Sequence, residues 1–305
     1  MDEFYQDLSP MLFYESEPFD SEDHLFELKF DGIRALAYLD TDKTIIKNKR
    51  HKDVTNLYPE LNNLHKQAKT RCIIDGEIVV MINGKPDFFK MQKRSLLQDP
   101  FKIQISSQSY PVTFIAFDII YYRDHFITDL PLIERKKILQ ENIVENNMLV
   151  ISRFIEKNGI KFFEVVKKQG LEGIVAKEML SKYFLGKRSK AWLKFKVYGE
   201  DDLVVCGYLE KDNKTIDIIF GRLLNNHLIK AATINTSKDK KLIIDFAKKN
   251  PSSPLFPNED NQIIWMKPHL VGKVKYMMKT ESGSLRQAVF LGLRDDKYFA
   301  DLKKE

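Results

Sequence analysis

Cysteine is almost missing from this 305-residue sequence: Cys72 and Cys206 are the whole complement, and they lie far apart. That excludes a disulfide framework and a cysteine-based zinc cluster, and neither thiol falls in a recognisable nucleophile setting. Long apolar runs are lacking too. Stretches such as Ile73-Ile74 or Leu203 to Cys206 fall far short of a membrane span. The opening Met1-Asp2-Glu3-Phe4 is acidic and lacks the basic-then-apolar pattern of a secretory signal. The six histidines (His24, His51, His65, His125, His227 and His269) show no metal-ligand spacing, and no internal repeat or low-complexity segment is found. A cytoplasmic protein without membrane association is expected.

What is present is an ordinary globular composition, 43% hydrophobic and 30% charged, with a net charge of +6 that permits a polyanionic partner without demanding one. Residues 198–305 hold 18 Lys/Arg against 15 Asp/Glu, and the rest hold 31 against 28, so the excess is +3 in each part and no basic tail accounts for it. Residues 25–31, 73–80, 112–122, 173–177 and 191–197 read as strands; 57–69, 131–143 and 159–169 read as helices. Beyond Tyr198-Gly199-Glu200 the pattern becomes short strands (202–210, 214–221, 227–234, 262–267 and 270–280), interrupted by one helix near 236–249 that Pro251, Pro254 and Pro257 close. Length favours two domains. The fold class is therefore α+β, with a mixed domain over 1–197 and a small β-barrel over 198–305.

The informative feature is charge placed on apolar strands. Period-two alternation in Leu25 to Asp31 sends Phe26, Leu28 and Phe30 to one face and Glu27, Lys29 and Asp31 to the other. One such strand would be an edge strand with a solvated face. The pattern recurs, however, in Ile74-Asp75-Gly76-Glu77-Ile78, in Phe117-Asp118, in Glu172-Gly173-Ile174-Val175-Ala176-Lys177 and in Trp192-Leu193-Lys194-Phe195-Lys196. Ionised groups on strands this apolar must be paired, hydrated in a cleft or bound to metal. Lysines and carboxylates converging on one cleft suit a nucleoside triphosphate with a divalent cation.

These segments resemble the motifs of the covalent nucleotidyltransferases, the superfamily of DNA ligases, RNA ligases and mRNA capping enzymes. Lys29-Phe30-Asp31-Gly32-Ile33-Arg34 is similar to the nucleophile motif K-x-D-G-x-R, and the other four segments follow in the family's order and spacing. The resemblance extends over nearly the whole chain. It includes Ser9-Pro10-Met11-Leu12, Tyr183 to Ser189 and a tail, Gly283 to Arg286 and Phe290 to Lys297, that resembles the sixth motif of ATP-dependent DNA ligases. The nearest group is the ligase module of bacterial end-joining ligases and their stand-alone relatives. Such enzymes join a nucleotidyltransferase domain to an OB-fold barrel.

The resemblance implies the following roles. Lys29 is the nucleophile that is adenylated by ATP, and it then passes AMP to the 5′-phosphate of a nick. A protonated lysine is a poor nucleophile, and positive charge from Lys194, Lys196 and the metal favours the neutral amine while neutralising the α-phosphate. Glu77 and Glu172 are expected at the ribose and a magnesium or manganese ion, Asp31 at the metal or reacting groups, and Lys177 in the nucleotide pocket. Phe117 is the stacking candidate for adenine. Glu27 resembles the residue that accepts the adenine amino group, which would penalise guanine. Arg34 resembles the residue that meets the nucleotide or the nick phosphate. Where relatives show Ser-Arg-Asn-Gly, this chain has the basic stretch Lys47 to Lys52, so either Lys49 or Arg50 replaces the family arginine. Lys187 and Arg188 are further DNA candidates, and Arg294 and Lys297 would orient pyrophosphate. Nicked double-stranded DNA is the expected partner of a monomeric enzyme serving repair, end joining or phage replication, with room for a Ku-type end-binding protein.

Two rivals stand beside this reading. An RNA ligase or capping-type nucleotidyltransferase shares the first five motifs, though not the end-joining-type tail or the Glu27 position. A non-catalytic nucleic-acid-binding protein would use the barrel alone and would have no need of Lys29, Glu77, Glu172, Lys194 and Lys196 together. The nucleophile assignment gives a direct expectation: Lys29→Ala abolishes covalent labelling by α-labelled ATP and sealing of an unadenylated nick, but retains slow sealing of a pre-adenylated one. Normal labelling of that variant on a denaturing gel would refute it.

Overall fold

A computed structural model describes residues 3–302 apart from 212–213, 226 and 281–282. The chain divides into two compact units, Met1–Lys196 and Val197–Glu305. Among the described residues no helix is long and apolar enough to cross a membrane.

Two sheets organise the first unit. One has five strands in the order Leu12–Glu15, Arg188–Lys196, Gly173–Glu178, Ser21–Leu28, Phe154–Lys157. The other runs Thr44–Asn48, Ile33–Leu39, Cys72–Ile82, Val112–Tyr122, His125–Phe126, with Leu149–Ile151 lying parallel beside Val112–Tyr122. In the first sheet Phe26, Leu28, Ile174, Ala176 and Phe195 pack together with Phe162 and Val166 of the helix Gly159–Lys168. Apolar side chains at alternate positions thus bind one sheet face to a helix, and the intervening charged positions turn to the other face.

The link from the first sheet to the second is the short crossing from Lys29 to Gly32, since one strand ends at Leu28 and the next begins at Ile33. A Cβ on Gly32 would stand 2.2 Å from the Ile78 carbonyl oxygen and 2.8 Å from Val79 Cγ1. Only glycine lets the backbones approach this closely. Gly173 has φ +148°, and a Cβ there would meet the Phe195 carbonyl oxygen at 2.0 Å. Both motif glycines are demanded by the join of strand to strand, before any chemistry is considered.

Charge deep in this unit is matched. Asp118 and Arg135 are fully buried, with Arg135 Nε and Nη2 donating to the two Asp118 carboxylate oxygens at 2.9 and 2.8 Å. Arg135 Nη1 donates to the carbonyls of Leu130 and Ser181. Asp118 is therefore structural; it pairs with Asp75 across the strands, and a register shift between Asp75 and Gly76 leaves Phe117 as an extra residue beside it.

Five long antiparallel strands, Gly199–Glu210, Ile216–Leu224, His227–Thr236, Leu270–Tyr276 and Val289–Tyr298, make up most of the main sheet of the second unit. In space they run third, second, first, fourth, fifth. The helix Lys240–Lys249 lies between the third and fourth, the connectivity of an OB-fold barrel. Residues 262–267 contribute only the two-residue strand Ile264–Trp265.

The strand expected over 25–31 ends at Leu28, and the helical part of the first unit differs from the sequence expectation in two ways. Residues 57–69 form short 3-10 turns, Thr55–Leu57, Pro59–Leu61 and Leu64–Gln67, because Pro59 and the Asn62-Asn63 pair break any longer helix. Helices Phe88–Ser95 and Pro100–Ser109 were not expected. Each is capped by an aspartate, Asp87 or Asp99, which accepts from the backbone N–H three residues on.

Truncating one member of a buried ion pair strands the other without solvent. Arg135→Met is expected to lose about 3–5 kcal/mol of stability in urea denaturation. A loss under about 1 kcal/mol would mean the pair is not the interior anchor its burial implies.

Candidate active site

Three strands fix the site by their register. Lys29 donates its backbone N–H to the Gly173 carbonyl at 3.0 Å, and Gly173 pairs with Lys196. One step along, Glu27 pairs with Val175, and Val175 with Lys194. The next pocket-facing row is Leu25, Lys177 and Trp192. Cross-strand partners project to the same face, so the register alone gathers Lys29, Lys194, Lys196, Lys177 and Glu27.

All of these but Lys196 line a cavity of about 240 Å³, whose walls also include Arg34, Lys49, Glu77, Phe117 and Val175. Lys29 Nζ donates to Glu172 Oε1 at 2.5 Å. Lys194 and Lys196 each approach Glu15 Oε2 at 3.7 Å. Burial, and then the neighbouring charge of Lys196, push Lys194 below the usual lysine value; Lys29 and Arg188 add to this while Glu15 opposes it. Crowding cations into a half-shielded space raises the free energy of each, and a phosphate relieves it.

The second sheet supplies the opposite wall. Arg34 and Glu77 are cross-strand partners. Arg34 grips the buried Asp75 with a fork of two hydrogen bonds, both 2.6 Å, and Tyr183 donates its hydroxyl to the same carboxylate at 2.5 Å. The Arg34 guanidinium stands 4.3 Å from the centre of the Phe117 ring, and Lys177 Nζ is likewise 4.3 Å from it, so the ring is held by two cations. Burial raises Glu77 to about 8, with Glu172 and Asp75 contributing and Arg34 and Lys29 opposing. Lys177 is pushed down to about 8, chiefly by burial and despite Glu27. Glu27 is fully buried, with Lys136 Nζ at 2.7 Å and Lys177 Nζ at 3.2 Å from its Oε1.

Asp31 lies partly exposed on the crossing between the sheets and is not among the cavity-lining residues. Among the described residues no three His, Cys, Asp or Glu side chains are gathered as a ready metal site, so Asp31, Glu77 and Glu172 do not form a closed cage. Magnesium commonly takes one or two carboxylates together with substrate phosphate oxygens, and Glu77 and Glu172 fit that smaller donor set.

Of the DNA candidates, Lys49 reaches the cavity wall and Arg50 does not. His51, in the same turn, adopts φ +63°. Lys187 and Arg188 lie at the start of the strand that carries Lys194, with Arg188 exposed and donating to the Phe13 carbonyl. Arg294 and Lys297 belong to the second unit, where both pair with Asp202, at 3.0 and 3.1 Å. Glu15 and Lys136 were missed by sequence reasoning, and Asp75 was seen as a charged strand residue but given no partner. Lys136 is the middle of three adjacent basic residues, Arg135-Lys136-Lys137, in the helix Leu132–Asn142, a run with no local sign of burial.

A lysine against a carboxylate, two further lysines beside it, and an aromatic ring on the far wall make this a nucleotidyltransferase pocket. Residues 12–196 match the family model described as the ATP dependent DNA ligase domain, and residues 231–297 match the ATP dependent DNA ligase C terminal region. The chain is 29% identical to the SPbeta prophage-derived DNA ligase-like protein LigB of Bacillus subtilis strain 168, over 92% of this chain and 96% of that one. It is 28% identical to the multifunctional non-homologous end joining protein LigD of Mycolicibacterium smegmatis, over 96% of this chain but only 39% of LigD. A solved mycobacterial DNA ligase D, complexed with ATP and MES, superposes with a TM-score of 0.58 at 26% identity, covering 96% of this chain and 97% of that one. The chain belongs to the ATP-dependent DNA ligases, which use ATP and act on nicked DNA.

The placement of Lys49 separates the two basic candidates. Lys49→Ala should slow nick sealing about tenfold, the size of a lost charge-assisted hydrogen bond, while Arg50→Ala stays within about twofold. Single-turnover sealing of both variants decides it; the reverse order would return the phosphate contact to Arg50.

Proposed function

We propose that the chain seals 3′-OH/5′-phosphate nicks through a lysyl-AMP and then a DNA-adenylate. The observation that carries this is Lys29 Nζ at 2.5 Å from Glu172 in a cavity shared with Lys194. Glu172 is placed to accept the Lys29 proton. The freed amine attacks the α-phosphorus of ATP, the bond to pyrophosphate breaks, and a phosphoramidate forms in line. Lys194 and Lys196 neutralise charge that builds on the phosphoryl oxygens. An oxygen of the nick 5′-phosphate then attacks the same phosphorus, releasing the amine, and the 3′-hydroxyl finally attacks the 5′-phosphate, releasing AMP.

The other residues hold the reactants. Phe117 offers the base an apolar surface and Glu27 an acceptor for its 6-amino group. Lys177 and Glu77 face the nucleotide, and Asp31 follows the nucleophile on the crossing and positions it. Arg34 spends one fork on Asp75 and has donors left for ribose or phosphate. Glu77 and Glu172, with phosphate oxygens, would hold a magnesium or manganese ion, which adds positive charge opposite the departing pyrophosphate. Lys49, Lys187 and Arg188 contact the DNA backbone, and Arg294 and Lys297 orient pyrophosphate during adenylation. The likeness to LigD makes a Ku-type end-binding protein a partner to test.

Incubation with α-labelled ATP and magnesium should give a covalent label that is stable to alkali but labile to acid, as a phosphoramidate is, and chasing with nicked duplex should move it to DNA and yield a sealed strand. Glu172→Gln should slow labelling about a hundredfold. Labelling by GTP in place of ATP, or sealing confined to nicked RNA, would overturn the reading.

A further inference from the structure

The sequence directs attention to Glu27 as the acceptor for adenine, but it does not say how a carboxylate survives there. Glu27 lies in the middle of a five-stranded sheet, and its side chain is 1% exposed. An isolated anion at such a depth is strongly unfavourable and would take up a proton. A protonated carboxyl carries a donor where adenine's 6-amino group needs an acceptor.

The compensation comes from outside the nucleotidyltransferase motifs. Lys136, on the helix Leu132–Asn142, is itself 1% exposed and reaches Glu27 Oε1 at 2.7 Å. Lys177 approaches the same oxygen at 3.2 Å, but its ammonium also stands 4.3 Å from the centre of the Phe117 ring and 4.4 Å from that of Trp192. Glu27 is thus the shared anion of two buried cations, only one of which lines the cavity. Ser152 adds a hydrogen bond to the carboxylate. The helix that carries the buried Lys136 has a second anchor one residue earlier, in the Arg135 pair with Asp118. Adjacent basic residues of one helix therefore do different work: Arg135 locks the helix to the second sheet, and Lys136 reaches the first.

We infer that Lys136 is the positioning residue for nucleobase selection: it holds Glu27 as an oriented anion, and so sets the preference for a base that carries a 6-amino donor. This deepens the reading of Glu27 given above and rests on it. Lys136 acts through Glu27 and does not touch the nucleotide. Its removal should therefore be felt in nucleotide selection more than in turnover.

The experiment compares ATP with purine riboside 5′-triphosphate, which lacks the 6-amino group, in self-adenylation by the full chain. Lys136→Met should raise KM for ATP about tenfold with kcat changed less than about threefold, and should cut the ATP preference about tenfold. Lys136→Arg, which restores the cation, should recover most of that preference. In the Glu27→Met background, which has no acceptor at this position, Lys136→Met should cause little further change, because coupled residues are not additive. If Glu27→Met leaves the preference intact, Glu27 is not the base acceptor and the underlying reading fails. If Glu27→Met lowers the preference but Lys136→Met does not, Lys136 is structural only and this inference alone is overturned. Should the methionine variant melt below the assay temperature, Lys136→Gln serves in its place, with the same two outcomes.

Discussion

The lysine-bearing wall of the candidate active site depends on the register of three antiparallel strands, Ser21–Leu28, Gly173–Glu178 and Arg188–Lys196. A side chain's face changes with each residue, so a slip of one position would turn every charged group of a strand into the apolar layer beneath the helix Gly159–Lys168. The penalty for that slip is what specifies the site. Phe26, Ile174, Ala176 and Phe195 are wholly buried on one face, and burying them is worth about 1.5–3 kcal/mol for each large side chain. Glu27, Lys194 and Lys196 are held on the other face as a consequence. Core packing, rather than attraction among the charged groups, delivers like-charged lysines to one place.

That distinction explains which parts of the site were legible. Alternation in Leu25 to Leu28 and in Trp192 to Lys196 was readable because each strand has one face in an apolar core. The same alternation could not be carried through to Asp31, since the strand stops at Leu28 and the chain crosses to the second sheet. The glycines were visible as motif letters, but their cause was not. Gly32 and Gly173 sit where another backbone comes within bonding reach of an absent Cβ, and such approaches are properties of tertiary structure. Pro59 and Asn62-Asn63, by contrast, were signals present in the sequence that outweigh the three- and four-residue apolar spacing of 57–69.

The pairings that escaped sequence reasoning share a physical character. Lys136 pairs with Glu27 across 109 positions of chain and Asp75 with Arg34 across 41. Glu15 reaches Lys194 and Lys196 from a parallel neighbouring strand. None of these pairs has a local pattern, because ion pairs between distant segments leave no periodicity. The second unit was easier in outline and harder in detail: its strand order follows from a run of short strands and one helix, but nothing in the sequence places Arg294 and Lys297 on Asp202.

The ion pairs of the first unit also divide by tightness, and the division maps onto what each can do. Asp118 with Arg135 and Asp75 with Arg34 are buried forks in which both carboxylate oxygens are taken, so neither can exchange partners without stranding a charge. Lys194 and Lys196 have instead a half-exposed carboxylate 3.7 Å away, a contact that water and counterions already weaken. Exchanging that distant single carboxylate for a phosphate, with more charge and more acceptor oxygens, gains attraction at little loss. The fold therefore keeps its rigid pairs for holding Phe117 and the helix in place, and the longer Glu15 contacts fall on Lys194 and Lys196, where the proposed reaction needs phosphate to come and go.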